Sequence, residues 1–473
     1  MNNENSKPDK MKRFKAPDAL VLIVILMVVA AIMSYVLPAG EYNRVENAAT
    51  GRMVVDPTSY HAVENSPVSI WGILKAIPEG MGQAATVINF LLIIGGVFGI
   101  LEATGALMSL IGFTVKKLSG KERLIIPAVL IVWGLGGALV GNFEESLAFI
   151  PLQISLSLAL GFDSVTGMAM ALLGVASGYM GSIINPFNVG VAQGIAELPL
   201  FSGIAFRIVA FSCLLGAAII YLYWYAGRIQ KNPKLSPVYE EDQTSPYRHA
   251  NLMDQINFTQ KHKFVLFVFV LGIAYMVYGV TQKGYYLTEI AAIFVAIGVL
   301  TGIVGGLKPN TIIDNFVKGA GNLLYASLAV GFARGIVVVL TDGKIMDVVI
   351  HGAATLVAGL PVSVSAIGMF LVQSVINVVV PSGSGQAAVT MPIMAPIADV
   401  IGITRQTAVL AFQLGDGITN LVAPTFGTLM AALALCRISW GKWIKWLAPL
   451  LVVWYIICAI LLVVAVQIGY GPF

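Results

Sequence analysis

The chain of 473 residues is 58% hydrophobic and only 11% charged, and its mean hydropathy is +0.85. Soluble domains carry about 25% charged residues, so this composition excludes a soluble protein and indicates a surface covered by lipid. The net charge of +4 is small and dispersed, which argues against nucleic-acid binding and fits basic loops on the cytoplasmic side of a membrane.

The N-terminal region predicts a cytoplasmic tail followed by an uncleaved membrane span. Residues 1–17 carry five basic side chains, and basic segments stay on the cytoplasmic side. The apolar stretch 19–37 is too long for the core of a signal peptide, and further apolar segments follow it. The loop 39–68 contains more acidic residues than arginines, so we predict that it is external.

Apolar segments continue along the chain, and a span needs about 20 such residues. Two longer blocks, 122–200 and 361–435, are interrupted by Gly, Pro and polar clusters, which predicts a re-entrant hairpin and then a broken helix in each. The hairpins are predicted at about 122–161 and 361–403, the broken helices at about 163–200 and 404–435, and the simple spans at 18–38, 84–104, 204–226, 264–281, 287–306, 321–341 and 446–468.

Charge then divides the chain into two repeats joined by a basic linker. Repeat 1 covers 18–226, the cytoplasmic linker 227–263, a linker span 264–281 and repeat 2 287–468. A further basic turn at 437–445 is also predicted to be cytoplasmic. If each hairpin returns to its starting side, the two sides alternate through nine spans and the C-terminus lies outside.

The two halves align as an internal repeat. Pro151 aligns with Pro392 and Gly161 with Gly402, both 241 residues apart. The first copy starts inside and the second outside, which is the inverted topology of many transporters that bind solute between their repeats at mid-membrane. The sequence therefore predicts an all-α polytopic membrane protein of two inverted-topology repeats, each with a re-entrant hairpin and a broken transmembrane helix.

Four polar clusters interrupt the apolar segments, two at hairpin tips and two at helix breaks. Backbone polar groups cannot face lipid unpaired, so such irregular segments are predicted to line a cavity inside the protein. Ionisable residues within a membrane are costly and mark functional sites. The candidate substrate- or ion-binding residues are Asn142, Glu144, Glu145 and Ser146 at the first tip, Ser182, Asn185, Pro186 and Asn188 at the first break, Ser382, Gly383, Ser384 and Gln386 at the second tip, and Asp416, Thr419, Asn420, Pro424 and Thr425 at the second break.

The two tips differ in chemistry. Glu144 and Glu145 at the first tip would attract a cation. The Gly/Ser tip at 382–385 opens a helix and offers N–H groups to an anion. The two tips together would therefore suit an amino acid, which carries both charges. The carboxylates could instead carry protons or bind Na⁺ together with freed carbonyls, and structural capping roles also stay open. Glu102 and Arg334 lie in predicted spans, where an ion pair or snorkelling near a helix end is the alternative to function.

These clusters lie in long motifs that resemble the four-carbon dicarboxylate anaerobic carrier family, in its YfcC-type branch of the ion transporter superfamily. The resemblance covers most of residues 18–468. It implies a bacterial inner-membrane carrier of dicarboxylates or, in this branch, of basic amino acids such as arginine and ornithine. It also implies two hairpins, two broken helices and often a dimer with an elevator-type motion. The motifs are NFEESLAFIP (142–151), SIINPFNVGVAQGIAELPLFSG (182–203), PSGSGQAAVTMPIMAPIADVIGITRQ (381–406) and LAFQLGDGITNLVAPTFGTLMA (410–431).

The tips also depart from the divalent-anion members of that superfamily, which use Ser-Asn-Thr tips near their Na⁺ and carboxylate sites. Asn142 is kept here, but Glu144 and Glu145 follow it, and the second tip reads Ser-Gly-Ser-Gly. This departure argues against a substrate that is purely dianionic.

The predicted function is a secondary transporter or exchanger of a small carboxylate-bearing metabolite. An amino acid is slightly favoured, with basic ones such as arginine or ornithine among the candidates, and a Na⁺- or H⁺-coupled four-carbon dicarboxylate carrier is the alternative. An ion channel is the alternative of another class, but the repeat favours alternating access. The chain has no His/Cys metal set, triad spacing or phosphate-binding loop, so we predict neither an enzyme nor a cofactor beyond a Na⁺ or H⁺ coupling ion. Its predicted partners are the solute, the bacterial inner-membrane bilayer and, by fold analogy, a second copy. We also predict that Cys213, Cys436 and Cys458 are small buried hydrophobes.

Overall fold

The computed structural model describes most of the chain, namely residues 19–47, 52–56, 58–118, 120–139, 141–248, 259–283, 285, 287–358 and 362–471; the predicted tail 1–17 lies outside them. The first half contains α1 (Ala19–Val36), α2 (Ile70–Gln83), α3 (Ala85–Ala103), α4 (Ala106–Lys117), α5 (Ile125–Leu139), α6 (Ile150–Ala159), α7 (Ser164–Gly181), α8 (Val191–Ile195) and α9 (Ile204–Lys231). The linker region contains α10 (Tyr239–Gln243) and α11 (Gln260–Lys283). The second half contains α12 (Leu287–Val304), α13 (Pro309–Asn322), α14 (Leu324–Asp342), α15 (Met346–Ala358), α16 (Val362–Val379), α17 (Gly383–Ile401), α18 (Arg405–Thr419), α19 (Gly427–Leu435) and α20 (Trp440–Gln467).

The loop after α1 is more structured than a simple external connection. Its short strands form two antiparallel pairs, and Arg44 reaches Asp347 at the start of α15 with hydrogen bonds of 2.6 and 2.8 Å. This ion pair fastens the loop to the second half of the chain. The strands are β1 (Gly40–Glu41) with β4 (His61–Ala62), and β2 (Arg44–Asn47) with β3 (Arg52–Val55).

One order of elements occurs twice. The first helix of each half has 18 residues, the second 14, the third 19 and the last 28. Gly161 and Gly402, which the sequence alignment paired, end the hairpins with φ of +81° and +79°. Asp163 and Thr404 then cap α7 and α18 by accepting hydrogen bonds from Thr166 N and Thr407 N. The described fold is thus internally duplicated, and the inverted orientation of the two copies stays a prediction.

The two broken helices lie at the centre of the molecule. Every residue of α7 is buried, and so is every residue of α18 from Gln406 to Thr419. α5 and α9 cover α7, and α16 and α20 cover α18. Cys436 and Cys458 are buried as predicted, but Cys213 is exposed because that face of α9 points outward from the protein.

Glycines allow the two halves to cross closely. α3 packs against α13, and α2 packs against α14, so the second helix of each half contacts the third helix of the other. A Cβ atom on Gly319 would lie 2.2 Å from the carbonyl oxygen of Gly95, and one on Gly80 would lie 2.5 Å from the backbone nitrogen of Gly335. Both crossings therefore bring backbone against backbone, as small residues permit in membrane helices.

We expect Gly319→Ala to destabilise the protein and Gly321→Ala to leave it intact or slightly stabilised. Both positions lie in α13, where alanine favours the helix by about 1 kcal/mol over glycine, but a Cβ on Gly321 meets nothing within 4 Å. The clash at Gly319 outweighs that gain, because typical overpacking costs about 1–3 kcal/mol. Melting temperatures of the purified variants check this, and equal values would show that the crossing is loose.

Six helical units in the described residues are long and apolar enough to cross a bilayer, and a seventh exists if α13 and α14, which meet at 43°, form one span. The six are α3, the unit Glu122–Leu139, α7, α9, α12 and α20. The unit Glu122–Leu139 is the first arm of the predicted hairpin, so length and composition alone do not separate an arm from a full span. The predicted order of nine spans accordingly stays a prediction.

The linker packs against both halves near the start of α7. The Asp242 carboxylate of α10 accepts a hydrogen bond of 3.1 Å from Ser164 N. Ser236 Oγ donates to the Asp163 carboxylate at 2.7 Å, and Lys442 pairs with Glu241. The linker thereby joins the first turn of α7 to the first turn of α20.

We expect stability to depend on pH through Asp242. Burial raises the pKa of this carboxyl to about 6, and the nearby Asp163 adds to the shift, although the N–H of Ser164 opposes it. An acid whose pKa is higher in the folded state stabilises the fold at low pH, and that contribution is lost as pH rises through the folded pKa. The melting temperature of the wild type should therefore fall between about pH 4 and 7 relative to Asp242→Asn. Parallel profiles for the two proteins would contradict this assignment.

Candidate functional site

The four polar clusters meet around one cavity, and the sequence of each explains its irregular backbone. At the first break, Ser182 adopts φ of +39°, and the Asn185 side chain accepts hydrogen bonds from Phe187 N and Asn188 N at 2.9 and 3.2 Å. Asn185 also donates to the carbonyl of Gly137 at 3.1 Å, so the break is fastened to the first hairpin arm.

The second break is tied to the second hairpin in the same manner. Thr425 Oγ1 donates to the carbonyl of Val378 at 2.6 Å. The Asn377 side chain donates to the carbonyl of Asp416 at 2.9 Å and to Asn420 Oδ1 at 2.8 Å. Phe143 of the first tip packs edge-on against Phe426 with ring centres 5.1 Å apart, which joins the two halves.

Asp416 is the central buried acid of this arrangement. It is fully buried, and its carboxylate accepts hydrogen bonds from the side chains of Asn188 and Asn420. A Cβ atom on Gly383 would lie 3.0 Å from Asp416 Oδ2, so the second tip rests directly on this carboxylate. Asp416 thus holds both helix breaks and one tip together.

A cavity of about 220 Å³ lies between the tips and breaks. Its lining includes two ionisable side chains of opposite charge that belong to different helices, Glu144 and Arg334. Arg334 comes from the middle of α14, and its Nε donates to Gln83 Oε1 at the end of α2 at 2.9 Å. The other lining residues are Gln83, Ala84, Val87, Gly141, Phe143, Tyr179, Phe187, Val330, Pro381, Ser382, Gly383, Ser384, Asn420, Thr425, Phe426, Gly427 and Thr428.

The second tip presents a helix N-terminus to this cavity. Ser382 is the N-cap of the 19-residue helix α17, and its Oγ accepts from Gly385 N at 3.3 Å. The first N–H groups of a helix lack partners within it and carry partial positive charge. Arg334 and the start of α17 therefore make this side of the cavity electropositive, while Glu144 supplies negative charge.

Six of the seventeen predicted site residues line the cavity, and the others lie behind it or mark a break. The lining residues among them are Glu144, Ser382, Gly383, Ser384, Asn420 and Thr425. Glu145, Ser146, Ser182, Asn185, Asn188, Gln386, Asp416 and Thr419 are buried, Asn142 and Pro424 are half-buried, and Pro186 begins the short π-helix Pro186–Gly190.

Sequence reasoning left Arg334 out of the site. The two ionisable residues of the predicted spans have different surroundings: Glu102 is exposed near the end of α3, whereas Arg334 faces the cavity. A lone cation in an apolar helix was the available signal, but it does not reveal which side of the helix faces the solute.

The described residues hold no group of three or more His, Cys, Asp or Glu side chains that could bind a metal ion. Two buried polar atoms near the site, Asn142 Oδ1 and Glu145 Oε2, lack a hydrogen-bond partner among the residues that the structure describes. As acceptors, these atoms would be satisfied by a bound water or by a protonated group.

Comparison with known proteins identifies the family. A model of the family described as C4-dicarboxylate anaerobic carrier matches residues 16–467. The chain belongs to this family. Over 98% of this chain and 99% of the relative, it is 34% identical to the Escherichia coli (strain K12) protein named "Putative basic amino acid antiporter YfcC". It is 31% identical to an uncharacterized protein of Haemophilus influenzae, over 97% and 98% of the two chains.

Two solved transporter structures also align, at low similarity. They are YdaH of Alcanivorax borkumensis (TM-score 0.42, 17% identity, 96% of this chain and 100% of that one) and MtrF of Neisseria gonorrhoeae (TM-score 0.41, 20% identity, 96% of both). Family membership and the apolar helices make this protein a multi-pass membrane transporter.

Proposed function

We propose that the protein is a secondary transporter of the bacterial inner membrane that exchanges amino acids, with basic amino acids such as arginine or ornithine preferred. The observation that carries this proposal is the cavity that has Glu144 and Arg334 in its lining. A site with one group of each charge suits a solute that itself carries both charges. We further propose that the N-terminus is cytoplasmic.

The electropositive side would receive the solute carboxylate. Arginine binds carboxylates through paired hydrogen bonds, and Arg334 keeps donors free after its Nε bonds to Gln83. The N-terminus of α17 adds backbone N–H groups, which favour anions. Arg334 belongs to α14 and the N–H groups to a hairpin tip, so a bound carboxylate would connect two separate elements.

Glu144 would receive the cationic group. It lines the cavity at the start of the short helix Glu144–Phe149, whereas its neighbour Glu145 is only 7% exposed. A carboxylate in a cavity lined by protein attracts an ammonium or guanidinium more strongly than it would in water. The name of the Escherichia coli relative, a putative basic amino acid antiporter, is consistent with this substrate class.

A four-carbon dicarboxylate is the second candidate, favoured by the description of the family. Such a solute carries two negative charges, and the lining residues described above include a single arginine and no lysine. Its transport would require Glu144 to be protonated or a bound cation to balance the charge. Coupling to Na⁺ or H⁺ belongs to this candidate, whereas exchange needs neither.

Counterflow in proteoliposomes separates the candidates. Vesicles are loaded with arginine, ornithine, aspartate, succinate or fumarate, with and without a Na⁺ or proton gradient. Labelled arginine uptake that requires internal arginine or ornithine and ignores Na⁺ would support the proposed exchange. Uptake of dicarboxylates alone, with a Na⁺ or H⁺ requirement, would replace it with the second candidate.

We expect Glu144→Gln to weaken exchange of arginine by about 10- to 100-fold in kcat/KM, because a hydrogen bond to a charged group contributes about 1.5–3 kcal/mol. Glu145→Gln is the matched control, since the same change one residue later lies behind the cavity. It should alter transport much less. Equal arginine kinetics in the wild type and Glu144→Gln would contradict the assigned role.

A further inference from the structure

Arg207 is a buried cation that is not among the residues lining the transport cavity. It lies in the first turn of the 28-residue helix α9 and is 1% exposed. Its Nη1 donates a hydrogen bond of 3.4 Å to the Tyr470 hydroxyl, while Nε and Nη2 have no hydrogen-bond partner among the described residues. Among the residues that the structure describes, no carboxylate forms an ion pair with it.

Polar groups that form hydrogen bonds with one another surround Arg207. The Tyr470 hydroxyl donates to the carbonyl of Gly203, the N-cap residue of α9, at 2.7 Å. A Cβ atom on Gly203 would lie 2.4 Å from that hydroxyl and 2.6 Å from Gln406 Nε2. The guanidinium is thus held beside the N-terminus of a long helix, where N–H groups lack partners.

Gln406 connects this place to both broken helices. Its Nε2 donates to Ser202 Oγ at 2.9 Å, and its Oε1 accepts from Gln193 Nε2 at 3.0 Å. Gln193 belongs to α8, the end of the first broken helix, and Gln406 to the first turn of α18. The cluster around Arg207 therefore joins the outer ends of the two broken helices to the last described turn of the chain.

An arginine does not lose its charge when it is buried, so a guanidinium with two free donors needs a negative partner. Buried charges in proteins are paired as a rule, because an unpaired charge in the interior is strongly unfavourable. A helix N-terminus and a guanidinium together form the electrostatic environment that anions prefer. Water could satisfy the two N–H donors but would not neutralise the charge.

We propose that Arg207, with the N-terminus of α9, binds an anion that is separate from the transported solute. The anion is either a small inorganic ion from solution, such as chloride or phosphate, or the phosphate of a lipid headgroup. Its role is to stabilise the junction of α8, α9 and α18. The proposal does not depend on which solute the transport cavity accepts.

Thermal unfolding of the full-length protein tests the site in two arms. In detergent, sodium gluconate is replaced stepwise by chloride or phosphate at constant Na⁺ and ionic strength. In nanodiscs, neutral lipid is compared with lipid containing phosphatidylglycerol. We expect the melting temperature to rise by roughly 2 °C or more in one arm, and the arm that responds identifies the source of the anion.

Arg207→Gln should remove that response, because the amide keeps donors but lacks charge. Arg405→Gln is the control, since Arg405 lies next to Gln406 but pairs with Glu197 and Asp399 on a more exposed surface. It should keep the response. Should Arg207→Gln fail to accumulate, Arg207→Lys retains the charge and is expected to need about tenfold more anion for the same stabilisation. A wild type that responds in neither arm, or an equal response in the Arg207 variants, would overturn the proposal.

Discussion

Arg334→Met will lower kcat/KM for amino-acid exchange by at least about 100-fold while the protein still folds. The guanidinium is exposed to the cavity, where it would donate charge-assisted hydrogen bonds to the solute carboxylate, and each such bond contributes about 1.5–3 kcal/mol. Two such bonds to a carboxylate correspond to a loss of 100-fold or more. Methionine retains the apolar stem against α2, so packing between the two helices should survive. Initial rates of counterflow in proteoliposomes, normalised to the amount of protein, check the result.

Two further variants distinguish solute binding from a general effect of charge. Arg334→Lys keeps the charge but loses the planar pair of donors, so it should recover part of the activity. Gln83→Leu removes the acceptor that orients Nε, and it should raise KM more than it lowers kcat. Arg334→Met with wild-type KM for every amino acid tested would show that the solute carboxylate binds elsewhere.

Asp416→Leu will give the second large effect. We expect it to lower the free energy of unfolding by about 3 kcal/mol and to cause loss of transport. The substitution leaves buried amide N–H groups of Asn188 and Asn420 without an acceptor, and each unsatisfied donor costs about 1–3 kcal/mol. The leucine side chain would also press on Gly383, whose Cβ position is 3.0 Å from the carboxylate. Thermal unfolding should show a melting temperature lower by roughly 5 °C or more.

Asp416→Asn separates the structural role from the charge, because it has the same shape but turns one acceptor into a donor. We expect a smaller loss of stability than for Asp416→Leu and a transport defect that remains. Asp399→Asn is the surface control, since that carboxylate is half exposed and pairs with Arg405. If Asp416→Leu has the same melting temperature as the wild type, the helix breaks do not depend on this carboxylate.

Much of the fold could be predicted from the Gly, Pro and polar residues that interrupt the apolar segments. Gly161 and Gly402, which the sequence alignment paired, adopt the same left-handed conformation. The family assignment rested on long motifs around the polar clusters and is confirmed. The clusters were recognisable because Gly, Pro and Asn have no other reason to interrupt a membrane helix at matched positions.

The parts that sequence did not predict depend on side-chain direction and on contacts between distant helices. Arg334 is flanked by apolar residues in α14, so the sequence does not show which way it points. Only the packing of α14 against α2 turns it toward the cavity. Glu145 and Asp416 looked as accessible as Glu144, but the fold buries them behind the lining. The strands of the loop after α1 were missed because they are two to four residues long and contact α15 across the chain.

The reciprocal packing of α2 with α14 and of α3 with α13 also affects when the helices can assemble during synthesis of the chain. The partner of each early helix is made roughly 200 residues later, and ribosomes add about 5–20 residues per second. The glycine-lined faces of the first half therefore wait in the membrane for roughly 10–40 s before their partners exist. During that interval they must be shielded by lipid or by the insertion machinery, so the duplicated design makes assembly of the two halves a late and concerted event in biosynthesis.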